Sequence, residues 1–125
     1  MLSFKFYLII IDYLQLMNDT VECNRVQSIS NIMNGLKDFA KSNNVTVLII
    51  TQLSREIDIR EDKRPVLSDL RESKSIAELF DVVIFLYRDG IYSETQKDKD
   101  IAEINIAKNN FGKTFNIYEF IWNSS

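Results

Sequence analysis

The sequence predicts an α/β fold, a largely parallel sheet ending in a C-terminal β-hairpin, and three observations carry that prediction. Two runs, the apolar Phe6 to Ile11 and the largely β-branched Val45 to Ile50, lack the alternation of a half-exposed strand and read as strands buried on both faces of a parallel sheet. Between them Ile29, Ile32, Met33, Leu36, Phe39 and Ala40 recur at helical spacing, so strand, helix and strand form a right-handed crossover unit. Near the end, Ile101 to Lys108 alternates, with Ala102, Ile104 and Ile106 on one face and Glu103 and Asn105 on the other. Phe115 to Trp122 can alternate too, and the turn-like NNFG between them completes a hairpin.

The stretch Tyr7 to Met17, YLIIIDYLQLM, organises the rest. It places Asp12 at the carboxyl end of the first strand, the edge where open α/β sheets bind ligands. A lone carboxylate there is placed to reach a hydrated Mg²⁺ on a nucleotide; the plainer reading is a cap on a loop or on the next helix. A central strand rarely opens a domain, so further sequence is expected upstream. The helix runs from about Asn24 to Ser42, and Asn43 and Asn44 tolerate the left-handed conformation that ends helices. Gly35 inside it costs roughly 1 kcal/mol relative to alanine. The second strand ends in Thr51 and Gln52, which brings Gln52 beside Asp12.

Ser54 to Arg71 is dense in nearly matched charges, holds the only proline, Pro65, and reads as a solvated surface loop. Ser68 or Ser75, the latter with Glu78 three residues on, starts a short helix through Phe80. Asp81 to Tyr87, DVVIFLY, is a third buried strand, and Arg88 to Lys99 is a flexible excursion. Ala107 to Thr114, AKNNFGKT, nearly spells a GxxxxGK[ST] phosphate loop. That loop must lead into a helix, whereas the residues after this one read as strand.

Composition narrows the classes of function. With 125 residues, 46% of them hydrophobic and 26% charged, the chain can build one globular core. A net charge of −3 excludes coating of nucleic acid by bulk electrostatics and leaves only a local contact. A single cysteine, Cys23, allows no internal disulfide and favours a reducing, intracellular compartment, and no histidine is present to activate it. Apolar runs are far too short for a membrane span. Heavy use of Ile, Asn and Lys is a compositional hint of an AT-rich gene, as in plastids and endosymbionts.

These residues together resemble the C-terminal, RecA-like motor domain of replicative DNA helicases of the DnaB type. LIIIDYLQLM is similar to that family's Walker B strand, TQLSR to its sensor motif, and KRPVLSDLRESKSI with DVVIFLYRD to its DNA-loop and strand signature. The likeness runs from about Leu8 to Gly112. It implies a partial RecA-like (P-loop NTPase) domain, residues 1–125 being its C-terminal part from the Walker B strand onward. By this resemblance ATP and Mg²⁺ are the cofactors, Asp12 holds Mg²⁺ through water, Gln52 senses the γ-phosphate, and Lys108 reaches the nucleotide of the neighbouring subunit. Arg71, Glu72 and Lys74 lie in the channel loop that grips single-stranded DNA. The implied activity is ATP-driven translocation and duplex unwinding in DNA replication. The implied partners are a homo-hexamer or a separate chain supplying the phosphate-loop half, primase and other replisome proteins, in a bacterial cytoplasm or a plastid stroma.

The departures matter as much. In the family the phosphate loop and the catalytic glutamate lie upstream of the Walker B strand, and neither is among these residues. Lys74 stands where the family usually has glycine. Asn110 stands where the family's NRNG carries an arginine finger. The competing expectation is a non-catalytic remnant or ring-assembly fragment without its own ATPase activity.

Overall fold

Strand β1 (Leu8–Asp12) and strand β2 (Thr46–Ile50) pair in parallel along their whole length, Leu8 opposite Thr46 and Asp12 opposite Ile50. The computed structural model describes residues 7–17, 24–70, 74–92, 100–114 and 117–122, with Lys74 and Ser75 described in their backbone alone. The chain divides into two compact units, residues 1–52 with 70–79, and residues 53–69 with 80–125.

In the first unit, helix α1 (Arg25–Asn43) connects β1 to β2. Its ends are those the sequence predicts. The Asn24 side chain accepts from the Gln27 amide at 3.0 Å, which satisfies one of the four amides a helix start leaves unpaired. At the other end Asn44 takes the left-handed conformation, φ 51°, and its N–H bonds back to the last turn. Ile29 and Met33 are buried with Leu14, whereas Phe39 on the same helix is exposed. Helix α2 (Lys74–Leu79) starts at neither candidate serine and turns Ile76 and Ala77 inward. The Lys37 ammonium donates to the Leu79 carbonyl at 2.9 Å, placing a cation at the negative end of α2.

The expectation that β1 and β2 are buried on both faces is corrected. Ile9, Ile11, Val47 and Ile49 are half-buried, while Leu8, Ile10, Leu48 and Ile50 are exposed. One crossover helix can cover only one face of a strand pair, so the other stays open.

The second unit is an antiparallel sheet in the order β3–β4–β5, made of β3 (Val82–Arg88), β4 (Ile101–Asn109) and β5 (Ile117–Ile121). The predicted terminal hairpin is β4–β5, with Ile104 opposite Tyr118. The third strand is not buried on both faces. It pairs antiparallel with β4, with a register shift between Val83 and Ile84, and it alternates. Val83, Phe85 and Tyr87 are buried, and Ile84 and Leu86 are exposed. The α/β architecture stands, with its parallel part confined among the described strands to β1 and β2.

The segment read as a solvated loop is a locked structure. Short 3-10 turns span Arg55–Ile59 and Leu67–Asp69, and Ile57, Pro65 and Asp69 are buried. Arg60 donates to both Asp69 oxygens at 3.0 and 2.9 Å and to the carbonyls of Asp62 and Arg64 at 2.8 Å. Burial pushes the Asp69 carboxyl up, but the Arg60 guanidinium and the Val66 amide outweigh it and hold the group below the usual carboxylate range. Arg64 grips buried Glu103 of β4 through two bonds of 2.9 and 2.7 Å and lies 4.9 Å above the Tyr87 ring. Tyr87 in turn stacks on Tyr92. Matched charge hid this arrangement in the sequence, because composition does not say which charges pair across the fold. The predicted excursion after Arg88 begins as a 3-10 turn, Asp89–Ile91, and residues 93–99 lie outside the described residues.

Candidate functional site

Strand β1, half-buried on one face and exposed on the other, ends at Asp12, where the apolar run gives way to a carboxylate at the edge of the sheet. The chain then turns through Leu14–Leu16, and Leu14, 2% exposed, plugs that turn into the unit's core. Leu14 thereby fixes Gln15, which works as a strut. Its Nε2 donates to Thr51 Oγ1 at 2.8 Å, and its Oε1 accepts from the Gln52 amide at a long 3.5 Å. Arg25 in the first turn of α1 donates to the Gln15 and Met17 carbonyls at 2.8 and 3.2 Å. The structure therefore brings the Asp12 and Gln52 backbones to one edge, as the crossover predicts, and holds them there through Gln15. Sequence reasoning did not single out Gln15; its place between Leu14 and Leu16 gave no sign of a partner 36 residues away.

Asp12 is exposed, and its side chain makes no hydrogen bond or ion pair with the other described residues. No group of three or more acidic, histidine or cysteine side chains gathers among the described residues. One open carboxylate fits Mg²⁺, which keeps several waters and takes only one or two protein carboxylates. It does not fit a closed Zn²⁺ or Ca²⁺ cage, which needs more protein ligands.

The other predicted residues fall elsewhere. Lys108 is half-buried on β4, in the second unit, opposite Val83. Arg71 and Glu72 lie outside the described residues, and Lys74 is the first residue of α2. At the hairpin tip the Asn109 side chain accepts from the Phe111 amide at 3.0 Å and donates to the Lys113 carbonyl at 3.3 Å. Asn110 is tied to Asp81 by its backbone amide at 2.9 Å and by its side chain at 3.4 Å. The segment after the near-miss phosphate loop is strand β5, so no helix N-terminus faces it.

A parallel strand, helix and strand that set a carboxylate and a glutamine at one carboxyl edge, together with an antiparallel C-terminal hairpin, define the later part of a RecA-like ATPase domain. More particularly, the chain belongs to the DnaB-like helicase C terminal domain family, whose model matches residues 3–124. It is 46% identical over 107 residues to the replicative DNA helicase DnaB of Geobacillus stearothermophilus, covering 84% of this chain and 24% of that protein. Its structure is similar to that of a DnaB-like replicative helicase solved with regard to its interactions with primase, with a TM-score of 0.86 at 38% identity over 93% of this chain and 28% of the other. It is also similar to a second solved ATPase domain, with a TM-score of 0.85 at 39% identity over 91% and 40% of the two chains. The chain thus spans about a quarter of the length of the curated relatives it matches. No described helix is long and apolar enough to cross a membrane.

Proposed function

We propose that these residues are part of the motor of a hexameric replicative DNA helicase, which couples ATP hydrolysis to translocation on single-stranded DNA and to duplex unwinding. The observation that carries this reading is the juxtaposition of Asp12 and Gln52 at the carboxyl edge of β1 and β2, locked by Gln15. Asp12 orients the waters of a nucleotide-bound Mg²⁺, which when bound neutralises charge on the phosphates. Gln52 is placed one strand away to hydrogen-bond the γ-phosphate. Lys108 serves the nucleotide of a neighbouring copy. Arg71, Glu72 and Lys74 hold the backbone of single-stranded DNA, the local contact that a chain of net charge −3 requires. The phosphate loop comes from another part of a longer chain or from a separate one. Primase and other replisome proteins are the partners, inside a bacterial cell or a plastid stroma.

The test is a graft in which residues 3–124 replace the matching part of the Geobacillus helicase, assayed for hexamer formation, DNA-stimulated ATP hydrolysis and unwinding of a forked duplex. All three are expected. A folded hexameric graft without either activity contradicts the reading.

One observation favours a second reading, a remnant that keeps the fold without turnover. Asn110 offers a neutral amide where the resemblance calls for an arginine, and Asp81 holds that amide. An arginine finger is worth about 10³ to 10⁵ in turnover. Asn110→Arg in the graft is expected to raise DNA-stimulated ATP hydrolysis at least about tenfold, a floor set well beneath the full effect of such a finger. Adding Asp81→Asn should raise it further, because the new guanidinium no longer has that carboxylate as a competing partner.

A further inference from the structure

Gln15 ties the exit of β1 to two other elements of the first unit. Its carbonyl accepts from Arg25 at 2.8 Å, at the start of α1, and its side chain reaches Thr51 Oγ1 at 2.8 Å and the Gln52 amide at 3.5 Å, just past the end of β2. The Met17 carbonyl accepts from the same guanidinium at 3.2 Å, and the Tyr13 and Leu14 carbonyls accept from the Leu16 and Met17 amides at 3.1 Å. Arg25 occupies the first position of α1, where the helix dipole disfavours a cation, and the two carbonyls it reaches offset that cost. A main-chain N–H such as that of Gln52 can only donate, so Oε1 must face it and Nε2 must face the Thr51 hydroxyl. Glutamine supplies that acceptor and that donor without placing a charge near Asp12, where a cation would repel Mg²⁺. The half-buried Thr51 bond is the strong one, whereas the contact to Gln52 lies at the limit of hydrogen bonding and adds little.

We propose that Gln15 is a positioning residue for ATP hydrolysis, holding the Thr51–Gln52 main chain against the strand end that carries Asp12 so that the carboxylate and the glutamine amide meet the nucleotide in one fixed geometry. The inference rests on the helicase reading, because Gln15 acts through Asp12 and Gln52. Misplacing a group at a reacting centre by about 1 Å can lower a rate about a hundredfold. Loss of the Thr51 bond leaves the pairing of β1 with β2 in place, so a smaller displacement and a smaller loss are expected.

The test is steady-state ATP hydrolysis by the hexameric graft, with kcat and KM measured separately. Gln15→Met keeps the length of the side chain and removes both of its bonds, and Thr51→Val keeps the shape of its partner and removes the hydroxyl. Each should lower kcat about tenfold while KM for ATP stays within about twofold, the pattern of an interaction that counts in the transition state more than in nucleotide binding. The double variant should fall no further than either single one, because both remove the same bond, whereas independent effects would multiply to about a hundredfold. Thr51→Ser, which keeps the hydroxyl, should recover most of what Thr51→Val loses. A residue that only supports the fold would lower the yield or melting temperature of the hexamer and leave kcat per hexamer intact. Should Gln15→Met fail to assemble, the valine and serine variants of Thr51 carry the test by themselves. Undiminished kcat in the single variants, a rise in KM alone, or multiplicative losses in the double variant overturn this proposal and leave the helicase reading standing. A wild-type graft that assembles and hydrolyses no ATP overturns both.

Discussion

The first unit is packed on apolar side chains, whereas the second adds to its apolar core charges that choose their partners. Among the described residues of the first unit the buried ones are Leu14, Ile29, Met33, Leu70, Ile76 and Ala77 with one polar residue, Ser28, and the Gln15, Arg25 and Lys37 side chains bond to nearby hydroxyl, amide or carbonyl groups. In the β3–β4–β5 unit, carboxylates of Asp69 and Glu103 sit inside and are met by Arg60 and Arg64. Apolar packing tolerates small shifts and is non-directional, whereas a forked guanidinium on a carboxylate fixes an orientation. The difference teaches where function can sit. The apolar unit builds a firm strand edge and leaves its polar residues, Asp12 and Gln52, available at the end. The ion-paired unit commits its polar residues to holding a long connection to a sheet.

The sharpest way to break this contrast is to hollow the first unit. Ile29 is fully buried, and Ile29→Ala should cost about 3 to 4 kcal/mol, read as a lower urea midpoint and faster hydrogen exchange along α1, with β3–β4 amides much less affected. Arg64→Ala should do the reverse. It strands Glu103 inside the sheet unit, and a loss of about 2 kcal/mol is expected, less than for a fully buried pair because the Arg64 side chain is 46% exposed. Equal loss of protection in both units from either change would erase the distinction.

Titration sharpens it further. Tyr87 is pushed up to about 12, first by burial and then by its hydrogen bond to Asp89. A raised folded value means its stabilisation is intact below the unfolded value of about 10 and is lost as pH climbs from there towards 12. Tyr87→Phe should therefore blunt the alkaline loss of exchange protection in β3 and leave α1 unchanged. Asp69 runs the other way. Its folded value is depressed, so its contribution is present above about 3.9 and disappears as pH falls through the lower folded value. Thermal melts between about pH 5 and pH 3 should show an acid limb that Asp69→Asn flattens. The smallest effect is a gain: a Cβ at Gly35 would meet nothing within 4 Å, so Gly35→Ala should stabilise the first unit by up to about 1 kcal/mol.

The same contrast explains what could be read from the sequence. Helix α1, its start near Asn24 and its left-handed end at Asn43 or Asn44, the parallel pairing of β1 with β2 and the terminal hairpin follow from local periodicity and from residue types that few other conformations suit. Full burial of the strands did not follow, because an unbroken apolar run reports what a strand can bury and says nothing of which covering elements these residues supply. Arg60, Arg64 and Gln15 were illegible for a different reason. Their partners lie 9, 39 and 36 residues away, and no local rule connects a charge or an amide to a group at that range. Asp12 and Gln52 were legible because strand ends are countable.

The most direct measurement is Mg²⁺-dependent ATP hydrolysis by the grafted helicase with Asp12 intact and with Asp12→Asn. The amide keeps the shape of the strand end and removes the charge proposed to orient the metal's waters, so on that proposal turnover should fall at least about a hundredfold, roughly 3 kcal/mol in the barrier, while the hexamer persists. Undiminished turnover by Asp12→Asn at every Mg²⁺ concentration would contradict the assignment of this strand edge to the metal and nucleotide.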